Sequence, residues 1–236
     1  MAFRAASILP LMRKLLVLAA ILAAVIAVSG CGSDSEPKAA GLIVAGQATP
    51  PPWKPDYTQL ARRARLLGIP DPGKETFHIH EMLHIYNDGI LVPVGELIGL
   101  DVPHKVLIGL HTHVAAGSFG SPGVIHMEAD KPFKATLGAF FSIWGVKFGG
   151  GWLGGLHAGG KNTLRTFVNG KAISDPAAYV LRKNDNIVIA FGSTNDFPRL
   201  PDTTPLKNAN SGKGGCALGT TKHPATSCVK ELLGKK

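Results

Sequence analysis

Seven of the nine histidines fall between His78 and His126, a span of 49 residues. Even spacing along the chain would put roughly two there. They are also phased. In Phe77-His-Ile-His-Glu-Met-Leu-His-Ile85 an extended backbone places His78, His80, Met82 and His84 on one side. Phe77, Ile79, Leu83 and Ile85 take the other, because successive side chains of a strand point to opposite faces. Glu81 is the misfit on the apolar side. The same device returns in Leu110-His111-Thr-His113, at the end of an apolar run, and in Ile125-His126-Met-Glu128. Three short segments thus offer His-x-His, His-x-His and His-x-Glu, each pair on one face. If they are neighbouring strands, about 4.8 Å apart, the pairs converge.

Imidazole nitrogens and a carboxylate oxygen are the donors that bind zinc, copper or iron. The spacing predicts a transition-metal site drawn from His78, His80, His84, His111, His113, His126 and Glu128. His84 lies at the far end of its strand. So many donors exceed one tetrahedral site, so either two ions bind or some residues orient the others. Met82 on the first histidine face favours copper, and the His/Glu set suits zinc.

Two other readings of the same residues predict different behaviour. A metal-dependent hydrolase would use Glu128 or Glu81 as general base, and His80-Glu81-Met-Leu-His84 matches H-E-x-x-H, the zinc-peptidase motif, with Glu81 in that role. That chemistry needs a helix, which stacks the two histidines one turn apart. Here the segment runs only from a Pro-Gly break to Asn87-Asp88-Gly89, and its apolar residues alternate, so a strand is expected. A non-catalytic interaction protein, whose histidines satisfy one another, is the third reading. The catalytic residues themselves are not legible.

The elements that must position these residues follow in order. A short helix is expected at Tyr57–Leu67. The first histidine strand, about 77–86, turns at Asn-Asp-Gly into Ile90–Val94. The second and third histidine strands follow, separated by a Gly/Ser/Pro loop. Thr136-Leu-Gly-Ala-Phe-Phe-Ser-Ile-Trp144-Gly145 predicts the main helix, with Thr136 as N-cap and Gly145 as its stop. Gly149–Gly160 has no phosphate-loop lysine and reads as a flexible surface insert. Arg165–Val168, Asn169-Gly170 and Lys171–Ile173 make a second hairpin, and Asn186–Phe191 a last strand. The sum is an α+β fold: an antiparallel or mixed sheet of hairpins with one main helix, in a β-grasp-like order.

The ends of the chain carry an address and a tail. Arg4, Arg13 and Lys14 precede an apolar run from Leu15 to Val28, too short for a comfortable bilayer span. It ends in Val28-Ser-Gly-Cys31, which resembles the lipobox of bacterial lipoproteins. That resemblance implies cleavage before Cys31, lipidation there, and a protein held on the outer side of the cell membrane. Losing residues 1–30 removes three of the positive charges and takes the net charge from +9 to +6. No dense Lys/Arg run remains of the kind that binds nucleic acid. Residues 31–55 read as a Pro-rich tether, 56–192 as the histidine-rich domain, and 193–236 as an irregular tail. Cys216 and Cys228 in that tail are expected to form a disulfide. A protein partner is left open.

The motifs as a set resemble an uncharacterised family of exported bacterial proteins and lipoproteins. They are His78-Ile-His80, Val92-Pro93, Leu110-His-Thr-His113, Ile125-His126-Met-Glu128, the Ala135–Gly145 stretch and Val168-Asn-Gly170. They cover residues 77–192, with Val114, Ala135 and the glycine-rich insert as departures. The resemblance implies that the histidines act as a unit, and it brings no activity with it.

Overall fold

A computed structural model describes residues 46–113 and 123–211. Cys31, Cys216, Cys228, Val114 and the Gly/Ser/Pro loop before the third histidine strand lie outside the described residues. The order of elements is helix α1 (Leu60–Leu66), strands β1 (Phe77–Asn87), β2 (Ile90–Val92), β3 (Leu100–Asp101), β4 (Val106–Leu107), β5 (Leu110–Thr112) and β6 (Gly123–Ala129). Then come helix α2 (Leu137–Trp144), strands β7 (Phe148–Gly149), β8 (Trp152–Leu153), β9 (Leu156–His157), β10 (Thr163–Val168), β11 (Lys171–Ile173) and β12 (Asn186–Gly192), and helix α3 (Thr204–Asn210).

The histidine segment is a strand, as its alternation requires. β1 lies at the centre of the main sheet, whose order is β11-β10-β12-β1-β6-β5, with β2 also paired to β1. β1 runs parallel to β12 and antiparallel to β6 and β2. Strands β6-β1-β12-β10-β11, with α2 between β6 and β10, follow the β-grasp order, and β5 is added at one edge. Both hairpin turns form as expected, with Asp88 and Gly89, then Asn169 and Gly170, at positive φ.

Leu83 and Ile85 of β1, Ile125 and Met127 of β6, and Ile187 and Ile189 of β12 face α2, which buries Leu137, Phe140, Phe141 and Trp144. Thr136 Oγ1 accepts from Ala139 N at 3.0 Å and Gly145 ends the helix at φ 81°. A Cβ at Gly145 would also stand 2.5 Å from that of Asp56, so this stop is glycine for two reasons. Asp56 in turn pairs with the buried Arg63 of α1 at 3.1 Å, which pins α1 beside α2.

Three expectations need correction. The tether does not run to residue 55: Trp53 is 3% exposed, packs edge-on against Trp144, and donates from Nε1 to Thr49 O. The glycine-rich insert is a three-stranded meander, β7-β8-β9. Its Leu153 is fully buried and its Gly154 sits against the Trp53 ring, where any Cβ would collide. The glycines there serve tight turns and close packing rather than mobility. Finally, the segment after β12 is not wholly irregular, because it contains α3, which buries Leu206 and Ala209 and packs across β1 and β6. Among the described residues no helix is long and apolar enough to cross a membrane.

Candidate metal centre

The face of the sheet opposite α2 is divided along the strands. Tyr86, Phe167, Val188 and Ala190 form a small apolar cluster toward one end. The histidines occupy the other. Pairing register decides what meets there. His80 of β1 stands opposite His126 of β6, and His126 stands opposite His111 of β5, so three imidazoles cross the sheet in one row. The next row pairs His78 with Glu128. The backbone of Gly109 passes so close to Glu128 O that a side chain there would clash. His113 follows β5 by one residue and lies on the same face as His111.

The donor atoms come together as the sequence anticipates. His78 Nε2 is 2.8 Å from Glu128 Oε1 and 3.4 Å from His126 Nδ1. His126 Nδ1 is 3.2 Å from the same carboxylate oxygen. On the other side, His111 Nε2 lies 3.0 Å from His113 Nε2 and 3.7 Å from Glu128 Oε2. Two sets of donors lie within 4.8 Å of one another: His111, His113, His126 and Glu128, and His78, His80 and His126. His126 belongs to both. A tetrahedral zinc with bonds of 2.0–2.1 Å holds its ligand atoms about 3.3 Å apart, so these separations fit a first coordination sphere.

Hydrogen bonds behind the cluster set which ring nitrogens are bare. Asn210 of α3 donates from Nδ2 to Asn184 Oδ1 at 2.9 Å, which turns its oxygen toward His80. His80 Nδ1 therefore donates to Asn210 Oδ1 at 3.0 Å, and Nε2 keeps its lone pair, buried and without a partner. Likewise His111 Nδ1 donates to Ile108 O at 2.8 Å, leaving its Nε2 bare. Fixing one nitrogen through a carbonyl is how proteins aim the other at a metal.

Electrostatics agree. Burial lowers the pKa of His80 to about 4 and that of His126 to about 3, and it lowers those of His111 and His113 too, so all four are neutral near pH 7. Burial works against the charge of Glu128 as well. His111, His126 and His78 around it more than offset that, and its carboxyl falls well below the usual range. A neutral set of imidazoles around one ionised carboxylate is the state a cation binds. Glu128 Oε2 is buried without a hydrogen-bond partner, an acceptor left open toward His111. These buried His and Glu groups could hold a metal ion.

Two predicted participants fall elsewhere. His84 shares the face but belongs to neither donor set, since it sits two residues beyond Met82 and beside Val188 of β12. Glu81 points into the core side of β1 and is fully buried. With His80 and Glu81 on opposite faces of a strand, the H-E-x-x-H peptidase geometry is not formed. Asn210, Asn184 and the Ile108 carbonyl were not anticipated. Pro205 at the first turn of α3 was the available sign of a helix start. No family model, no curated protein and no solved structure matches the chain.

Proposed function

We propose that this chain is a metal-binding protein whose histidine–glutamate cluster holds zinc or copper(II), presented outside the cytoplasm from a lipid anchor at Cys31. The observation that carries the metal reading is the convergence of five imidazoles and Glu128 in two donor sets that share His126, with Nε2 of His80 and His111 left unprotonated because their Nδ1 atoms donate to Asn210 Oδ1 and Ile108 O. Nitrogen and oxygen donors suit borderline divalent ions.

Anchoring rests on the sequence alone: the basic start, the apolar run and Val28-Ser-Gly-Cys31. The likeness to exported lipoproteins supports the same placement. Metal content of the full chain, purified without added metal, tests the first part. Zinc or copper in the protein and a chelator-reversible rise in melting temperature are the expected result. If no metal is bound and neither ion shifts the melting temperature, the histidines merely satisfy one another. Palmitate labelling that disappears in Cys31→Ser tests the anchor.

A further inference from the structure

The two oxygens of Glu128 face different histidines. Oε1 is 2.8 Å from His78 Nε2 and 3.2 Å from His126 Nδ1, while Oε2 lies toward His111 Nε2 and is otherwise unpartnered. This division gives each oxygen its own group of imidazoles, the arrangement in which one carboxylate can serve two ions. Building on the metal reading above, we infer that the centre is dinuclear and unsymmetrical, with Glu128 as a carboxylate bridge between two ions.

The donors divide accordingly. On the Oε1 side stand His78 and His80, whose Nε2 is free and buried, and His126 lies within reach of both sides. With Oε1 these two histidines make three protein donors, and the half that takes His126 reaches the four of a closed tetrahedral position. On the Oε2 side stand His111 and His113, with Nε2 atoms 3.0 Å apart. With Oε2 they make three protein donors, so the half that does not take His126 is one short and open to a water or a small anionic ligand. Carboxylate-bridged pairs of ions lie about 3.5–4 Å apart. The ring of His126 lies between the halves, stacked on His113 with centroids 3.9 Å apart and 5.7 Å from that of His78. The sheet itself enforces the split. β1 and β5 flank β6, and Glu128 and His126 are the β6 residues between them.

Cobalt(II) titration of the chelator-stripped full chain tests this by optical and electron paramagnetic resonance spectra. The expected result is two equivalents per chain, the second binding more weakly, with a spin-coupled pair at saturation. Glu128→Gln, whose amide cannot bridge through both atoms, is expected to abolish the coupling and reduce the stoichiometry to one. His113→Ala, at a half-buried position, is a second variant in case the first does not fold, and it too should leave one equivalent. One equivalent in the unmodified chain, or two uncoupled ions, would overturn the dinuclear centre while leaving metal binding intact. No cobalt bound at all would overturn both.

Discussion

Asn210 accepts a hydrogen bond from His80 Nδ1 at 3.0 Å, across 130 residues of sequence. The contact ties the last described helix to the central strand and sets the ring's tautomer. Asn210→Ala is therefore expected to weaken metal binding by roughly 10- to 100-fold, the usual effect of removing such an orienting partner. Isothermal titration with zinc reads this directly. Asn210→Asp should restore much of the affinity, because a carboxylate oxygen accepts the same proton.

Without metal, stability should fall as the solution is acidified from about pH 6.5 toward 4. His80, His84 and His126 have pKa values of about 4, 4 and 3 in the fold, against an ordinary 6.5. The unfolded chain therefore takes up more protons across that window, and unfolding becomes easier as pH drops. Each buried histidine contributes on the order of 1 kcal/mol per pH unit. Melting curves of the chelated protein at pH 5 and 7 check the sign.

Glu81 should behave in the opposite direction. It is fully buried, neither oxygen has a hydrogen-bond partner, and its pKa is pushed well up, first by burial and then by the nearby Asp185. A raised carboxyl pKa gives stability that is present below about 4.5 and lost as pH rises through the folded value. Glu81→Gln is thus expected to stabilise the protein at pH 7, by about 1–3 kcal/mol. The gain should shrink at pH 5. Metal stoichiometry should not change, since Glu81 faces away from the histidines. A loss of bound metal would contradict the strand geometry.

Trp53→Ala should destabilise the fold by about 3–5 kcal/mol, the cost of emptying a large buried aromatic site. Trp53 fills the space between Trp144 and Gly154. Chemical denaturation of the full chain measures it. A tether residue would show no such cost.

What was legible in the sequence was what local periodicity controls. Alternation placed His78 and His80 on one strand face, Asn-Gly and Asp-Gly marked the hairpins, and Thr136 and Gly145 bounded α2. The donor set followed because residues two apart on neighbouring strands must converge. Missing were the contacts made across long separations by residues with weak local signals. Trp53 sits among prolines, Leu153 among glycines, and Asn210 in a polar segment, so nothing nearby announced their burial or bonding. His84 was over-counted because sharing a face says nothing about distance along it. At about 3.3 Å per residue, four positions carry it some 13 Å from His80.

The parallel pairing of β1 with β12 has a consequence for when the cluster can exist. Met82 is registered against Asn186 and Asn87 against Phe191, so the strand bearing the first histidines is flanked on one side by chain made about a hundred residues later. Asn210 comes later still. During synthesis the growing chain holds loose histidines long before it holds a centre, and any ion met then finds ligands without an arrangement. Assembly is therefore a terminal event. A chain cut before Asn186 should carry every donor yet select no metal, which makes the final strand and the helix after it the gatekeepers of metallation.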